Sequence, residues 1–267
     1  MNRVTPLDIQ LIKKKLDEKG CGKGFAYNVL TFTKQFFETA VHWEFTSRNP
    51  AYSLRAPKKP LPRKTDVDPY KIIEIIDDIK SARDKTIIAL GIYGGLRLSE
   101  IFGLQRKHVS IKNGTLTVKI QYTKGMLGPP KSESSQATIS ILPLLSKILG
   151  EWMLQCGSAT WLFPGRKPGY PLRGDTWQAK CYKPLMRSYD FDITFRALRT
   201  LHAILLRDMG MPIDFIQRQL RHTSYSTTAD FYSKVPEKQL KKEIDRISNL
   251  LVSFPTKKTP KTEDFNI

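Results

Sequence analysis

The 267-residue sequence predicts a mostly α-helical chain with one small three-stranded antiparallel sheet. Three observations predict it. Apolar residues recur at three- and four-residue spacing through most of the chain. Three short strand-like runs, at 108–111, 115–122 and 137–144, interrupt that spacing in the middle. A proline- and lysine-rich stretch separates a short helical segment from a much longer one.

Residues 7–18, "LDIQLIKKKLDE", place Leu7, Ile9, Leu11, Ile12 and Leu16 at helical spacing, and "GCGKG" breaks the pattern. A second helix is expected from about Ala26 to Trp43, with an apolar face of Leu30, Phe36, Phe37 and Val41. "SRNPAYSLRAPKKPLPRKTDVDP" carries four prolines between Asn49 and Arg63, so it reads as an extended basic linker. From Asp68, "DPYKIIEIIDDIK" is an amphipathic helix with Pro69 in its first turn. "DKTIIALGIYGG" is nearly all apolar and reads as buried, and "LRLSEIFGL" continues it after two glycines. "HVSI" and "TLTVKIQY" flank "KNG", whose Asn-Gly signals a type I′ hairpin, and "ATISILPL" supplies the third strand. Helices follow at about 144–154, 174–189, 194–209 and 213–220, with a short one carrying Tyr232. Four parts result: a helical module over 1–55, a linker over 56–67, a large domain over 68–253 and a flexible tail over 254–267.

Composition narrows the function. Lys and Arg number 44 against 25 Asp and Glu, a net charge of +19. An excess of this size points to a polyanion, most often nucleic acid. No basic amphipathic helix and no long apolar run supports a membrane partner, and "MNRVTPLDIQ" lacks the apolar stretch of a secretory signal. Cys21, Cys156 and Cys181 are odd in number and scattered, which fits a reducing cytoplasm rather than a disulfide framework. There is no G-x-x-x-x-G-K-[ST] loop, no H-E-x-x-H and no paired-carboxylate cluster, so nucleotide-driven and metal-dependent chemistry lack their motifs.

What remains is cationic. Arg196 and Arg199 stand three apart on one helix, neighbouring positions on its surface; such a pair alone also describes a solvated basic face. Arg97 follows two glycines between apolar segments, with Glu100 three residues on to orient it or simply pair with it. Lys131 lies in the polar connection "GPPKSESS", and Lys124 in the same connection competes with it. His222 and Tyr232 stand ten positions apart near the end, where each alone reads as a packed side chain. Together these groups have a chemical logic. Guanidiniums bind the non-bridging oxygens of a phosphodiester and keep their charge. An ammonium can protonate a leaving 5′-oxygen. A phenol, ordinarily protonated near pH 7, can attack phosphorus once cations and a base activate it.

"YGGLRLSEIFGLQRKHV", "PPKSESSQATISILP", "FRALRTLHAILLRDMG" and "QLRHTSYSTTADFYSKV" resemble, in order, the successive boxes of the tyrosine recombinase (phage integrase) family, and the resemblance runs from about residue 20 to 236. It implies a tyrosine recombinase catalytic fold behind a short core-binding module, the two gripping duplex DNA. Arg97 and Arg199 would be the catalytic arginines, Glu100 the acidic neighbour, Lys131 the hairpin lysine, His222 the third-box histidine and Tyr232 the nucleophile. Three positions depart from the usual pattern. Arg196 stands where histidine is usual and is left only charge stabilisation; Arg221 stands where glycine commonly precedes the histidine, as a phosphate contact or a surface charge; Gln136 stands where arginine is frequent. Only two helices fit before Pro50, so the module is compact or cut short.

The resemblance further implies a site-specific recombinase of a phage, virus or integrative mobile element, acting in the cytoplasm on DNA. Tyr232 would form a 3′-phosphotyrosyl link and free a 5′-hydroxyl, with no cofactor, ATP or metal. Its partners would be double-stranded recombination sites, a homotetramer assembled from monomers on DNA, and accessory DNA-bending proteins. A type IB topoisomerase and a non-catalytic DNA-binding protein of the same fold are the alternatives.

Overall fold

The computed structural model describes residues 4–55, 67–130 and 136–221. The chain divides into two compact units, Met1–Lys64 and Thr65–Ile267.

The first unit holds α1 (Pro6–Glu18) and α2 (Lys23–His42). Thr5 and Asp8 form a capping box at the start of α1, each satisfying the other's backbone N–H. The second helix begins at Lys23, inside the glycine stretch expected to break the chain, and its buried residues are Leu30, Phe37 and Ala40. Phe36, expected in that face, is exposed; at one residue from Phe37 it points about 100° away around the helix. The stretch 47–55 is not extended either. Asn49 donates Nδ2 to the Lys34 carbonyl and accepts the Ala51 N–H at 2.7 Å, turning the chain so that Ala51 is buried with Ile9 and Phe37. The expected linker, apart from Val67, and the expected tail lie outside the described residues.

The second unit opens with α3 (Pro69–Ile76), whose N-cap Asp68 accepts the Tyr70 N–H at 2.9 Å. The central helix α4 (Ala82–Ile92) is buried along Thr86–Ile92, so it carries no amphipathic stripe, as the all-apolar run predicted. It packs on α6 (Pro143–Gln155) and α9 (Phe195–Asp208). Around it, Trp177 meets Phe102, Tyr182 and Phe195 at ring distances of 5.8, 5.8 and 5.7 Å, while its indole N–H donates to Asp84.

The three-stranded antiparallel sheet has the order β1 (Val109–Ser110), β2 (Thr115–Val118), β5 (Ala137–Ser140). Leu116, Val118 and Ile139 face the core. The eight-residue run 115–122 is not one strand. It breaks after Val118, and β3 (Gln121–Thr123) pairs instead with β4 (Met126–Gly128) in a separate hairpin. At the break the chain meets another segment. Gly103, just after α5 (Leu98–Phe102), lies so close to the Ile120 carbonyl that an added Cβ would sit 2.2 Å from its oxygen. The Asn-Gly turn also differs from expectation. Gly114 has φ 59, Asn113 is not in the left-handed region, and the pairing Ser110↔Thr115 leaves a four-residue loop. A type I′ turn needs both central residues left-handed, so this loop is another class. That geometry appears one hairpin later, at Lys124 (φ 50) and Gly125 (φ 84).

The helical run expected over 174–189 is present as α7 (Gly174–Trp177), a π turn (Gln178–Tyr182) and α8 (Lys183–Ser188). Pro184 has no N–H for the bond to residue 180, and Lys183 instead bonds the carbonyl five residues back, at Gln178. Then α9 leads to α10 (Ile213–Leu220), whose Ile216 and Leu220 bury against Ala203 and Leu206.

Candidate active site

Four of the sequence-selected or neighbouring charged groups meet where α5 starts, α9 passes and α10 ends. Arg97 is the N-cap of α5, and Glu100, at its third helical position, reaches back to accept the Arg97 N–H at 2.8 Å. The same carboxylate takes the Arg97 guanidinium on its other oxygen, Nη1 to Oε1 at 2.6 Å. Glu100 is 1% exposed, whereas the Arg97 side chain is 43% exposed and faces outward beyond its partner. A helix whose first turn lacks a Ser, Thr, Asp or Asn cap is thereby closed by the charge pair itself.

Arg199 arrives from the middle of α9 and is buried. It donates Nη1 to the Gly95 carbonyl at 2.7 Å and Nη2 to the Leu220 carbonyl, so one guanidinium ties the turn before α5 to the last residue of α10. Burial, then the positive charge of Arg97, pulls its pKa below the ordinary arginine value, with Glu100 opposing. Gly95 makes that turn with φ +61, and His202 packs beneath it, accessible to only 2%. His202 donates Nδ1 to the Ile92 carbonyl at 2.9 Å, and among the described residues its Nε2 has no hydrogen-bond partner. Burial holds its pKa down to about 4, so the ring is neutral.

Arg221 closes the cluster. It caps α10 in left-handed backbone, φ 56 and ψ 44, and its guanidinium runs inward to Oε2 of Glu100 at 2.6 Å. One buried carboxylate thus bridges two guanidiniums, with a third close by. Three positive charges against one negative leave a surplus able to hold an anion.

Three segments thus build an anion cradle. Residues 66–239 match the phage integrase family. The chain belongs to that family. It is 32% identical over 237 residues to the tyrosine recombinase XerA of Pyrococcus furiosus, covering 86% of this chain and 77% of that protein. It is 25% identical over 276 residues to the ICEBs1 integrase of Bacillus subtilis, covering 94% and 72%. Its fold superposes on the Tn1549 transposon integrase, solved in complex with transposon right end DNA, with TM-score 0.74 at 20% identity over 92% of this chain and 86% of that one. The chain is therefore a tyrosine site-specific recombinase, mostly helical with small antiparallel sheets.

Of the residues selected from this integrase's sequence, Arg97, Glu100 and Arg199 converge. Arg196, one turn before Arg199, is exposed, so the two arginines do not share a solvated face: one is surface and the other core. Lys131, His222 and Tyr232 lie outside the described residues. Lys124 is exposed at the tip of the β3–β4 turn. Neither role suggested for Arg221, phosphate contact or surface charge, matches its buried ion pair with Glu100. The signal for it was the unusual Arg where a helix end favours glycine. His202 carried no sequence signal beyond its i+3 offset from Arg199. Beside the sheet, a groove of about 670 Å³ is lined, among the described residues, by Lys107, His108, Lys119 and Gln136 and by no carboxylate. Burial and the two lysines hold His108 below the usual histidine pKa. No helix among the described residues is long and apolar enough to cross a membrane.

Proposed function

We propose that this recombinase binds double-stranded recombination sites and exchanges strands through a covalent bond between Tyr232 and a DNA 3′-phosphate. The arginine cluster carries the reading: Arg97 and Arg199 are fixed by Glu100, Gly95 and Leu220 before any ligand arrives. Preorganised donors at developing negative charge are worth about 3–4 kcal/mol each in comparable sites. The Tyr232 phenol attacks phosphorus as the bond to the 5′-oxygen breaks. Its proton passes to His222 or to water, and Lys131 or Lys124 gives one to the departing oxygen. Arg196 adds charge from the surface, since a guanidinium is no base. Attack by a 5′-hydroxyl of the partner strand reverses the step, so the phosphodiester is conserved without ATP.

Names among the relatives, an ICE integrase and a transposon integrase, support a mobile element as the source of the DNA ends. The excess of basic residues and the lysines lining the groove beside the sheet support contact with the phosphate backbone. Four protomers on two duplexes, assembled from monomers in the cytoplasm, is the expected working form.

The test is covalent capture. Incubated with a library of random duplexes, the wild-type chain yields a denaturation-stable protein–DNA adduct whose attached 3′-end defines the cleavage site. Tyr232→Phe binds the selected duplex and yields no adduct. A persisting adduct in that variant refutes the assignment of Tyr232.

A further inference from the structure

Arg221 has no part in the chemistry above, yet the fold goes out of its way to bury it. Left-handed backbone at a helix end is the ordinary place of glycine, because a Cβ disfavours it. Here an arginine occupies it, and its side chain turns inward to 1% exposure. Among the described residues, its Nε and Nη1 are buried without a hydrogen-bond partner. Two desolvated donors are thus accepted for a single ion pair. Stability alone does not call for that pair, since Glu100 already holds Arg97 through both carboxylate oxygens, at 2.6 and 2.8 Å.

Electrostatics supplies the reason. Glu100 paired one-to-one with Arg97 would cancel the charge that an incoming phosphate must find there. A second guanidinium on Oε2 balances the carboxylate from behind and leaves Arg97 uncompensated on its exposed side. We propose that Arg221 is a positioning residue for strand cleavage, acting through Glu100 to fix Arg97 and to keep its charge available to the scissile phosphate. The proposal rests on the reading of Arg97 as a phosphate ligand.

The experiment measures single-turnover cleavage and equilibrium binding on the one duplex selected by covalent capture with the wild-type chain. Arg221→Met and Arg221→Gly, the second matched to the left-handed backbone, are expected to slow cleavage at least tenfold while the Kd for the duplex stays within threefold. Arg221→Lys keeps a cation and stays within threefold of wild type in both. In a Glu100→Gln background, where no carboxylate charge needs balancing, Arg221→Met changes cleavage less than threefold. Wild-type cleavage with Arg221→Met within threefold of it overturns the proposal alone. So does an equal loss in both backgrounds, a parallel loss of binding, or failure of both neutral variants to fold. A wild-type chain that forms no adduct removes the functional reading, and this proposal with it.

Discussion

Arg199 donates its Nη1 to the carbonyl of Gly95 at 2.7 Å, so a residue with no side chain supplies the acceptor that orients a catalytic candidate. Gly95 holds φ +61, and a Cβ there would come within 2.6 Å of His202. Gly95→Ala should therefore lower stability on two counts: about 1 kcal/mol for left-handed backbone, and about 1–3 kcal/mol for overpacking against the ring. Because the displaced atom would be the Arg199 acceptor, adduct formation should fall further than the loss of folded protein explains. Denaturant unfolding and single-turnover cleavage measure the two effects; an unchanged unfolding midpoint would refute the account of the turn.

A second glycine is constrained without unusual backbone. Gly103 has φ −87, and its fault line is steric: a Cβ would lie 2.2 Å from the Ile120 oxygen, a backbone atom that cannot rotate away. Gly103→Ala should force α5 off the start of β3 and destabilise the chain by about 2 kcal/mol or more. A Gly103→Ala protein as stable as wild type would refute the close contact between this glycine and the Ile120 carbonyl.

How far the sequence disclosed these relationships depends on the range of the forces involved. Helices were legible because the 3.6-residue pattern is local; α10 spans Ile213–Leu220, the limits its apolar spacing predicts. The Arg97–Glu100 pair was legible for the same reason, being three residues apart at a helix start. The break in 115–122 was not, since the segment that meets the chain there, at Gly103, is distant in sequence. Nor was the partition of Arg196 from Arg199. Helical periodicity puts them on adjacent positions, but only the packing of α9 on α4 and α10 decides which faces inward. Arg221 was misjudged because its partner lies 121 positions away.

Acid should expose the buried histidine. The His202 Nδ1–H bonds the Ile92 carbonyl, and a proton added at Nε2 would be buried without an acceptor, near Arg199 and Arg221. With a folded pKa of about 4 against an ordinary 6.5, the unfolded chain takes up the proton first as pH falls. This contribution is complete above about pH 6.5 and is lost progressively toward pH 4, up to about 3 kcal/mol. His202→Asn keeps a donor for Ile92 and does not titrate. Its unfolding free energy should decline less than that of wild type over this window, whatever its value at pH 7. Parallel pH curves for the two proteins would show that His202 is not the group responsible.

The general acid separates two lysines that the sequence left in competition. Lys124 is exposed at the tip of a two-residue turn, where Lys124 and Gly125 both adopt left-handed backbone. Lys131 stands in the connection to β5, seven residues further on. The residue that protonates the leaving 5′-oxygen becomes dispensable when that oxygen is replaced by sulfur, because a thiolate departs without a proton. Lys131→Ala should therefore cleave an ordinary duplex about 100-fold or more slowly, and a 5′-bridging phosphorothiolate duplex at close to the wild-type rate. Lys124→Ala should cleave both substrates at nearly wild-type rates, since an exposed turn lysine contributes mainly to phosphate contact. The reverse pattern, with sulfur rescuing only Lys124→Ala, would move the proton to Lys124. Loss on both substrates in Lys131→Ala would assign that residue to holding the phosphate instead.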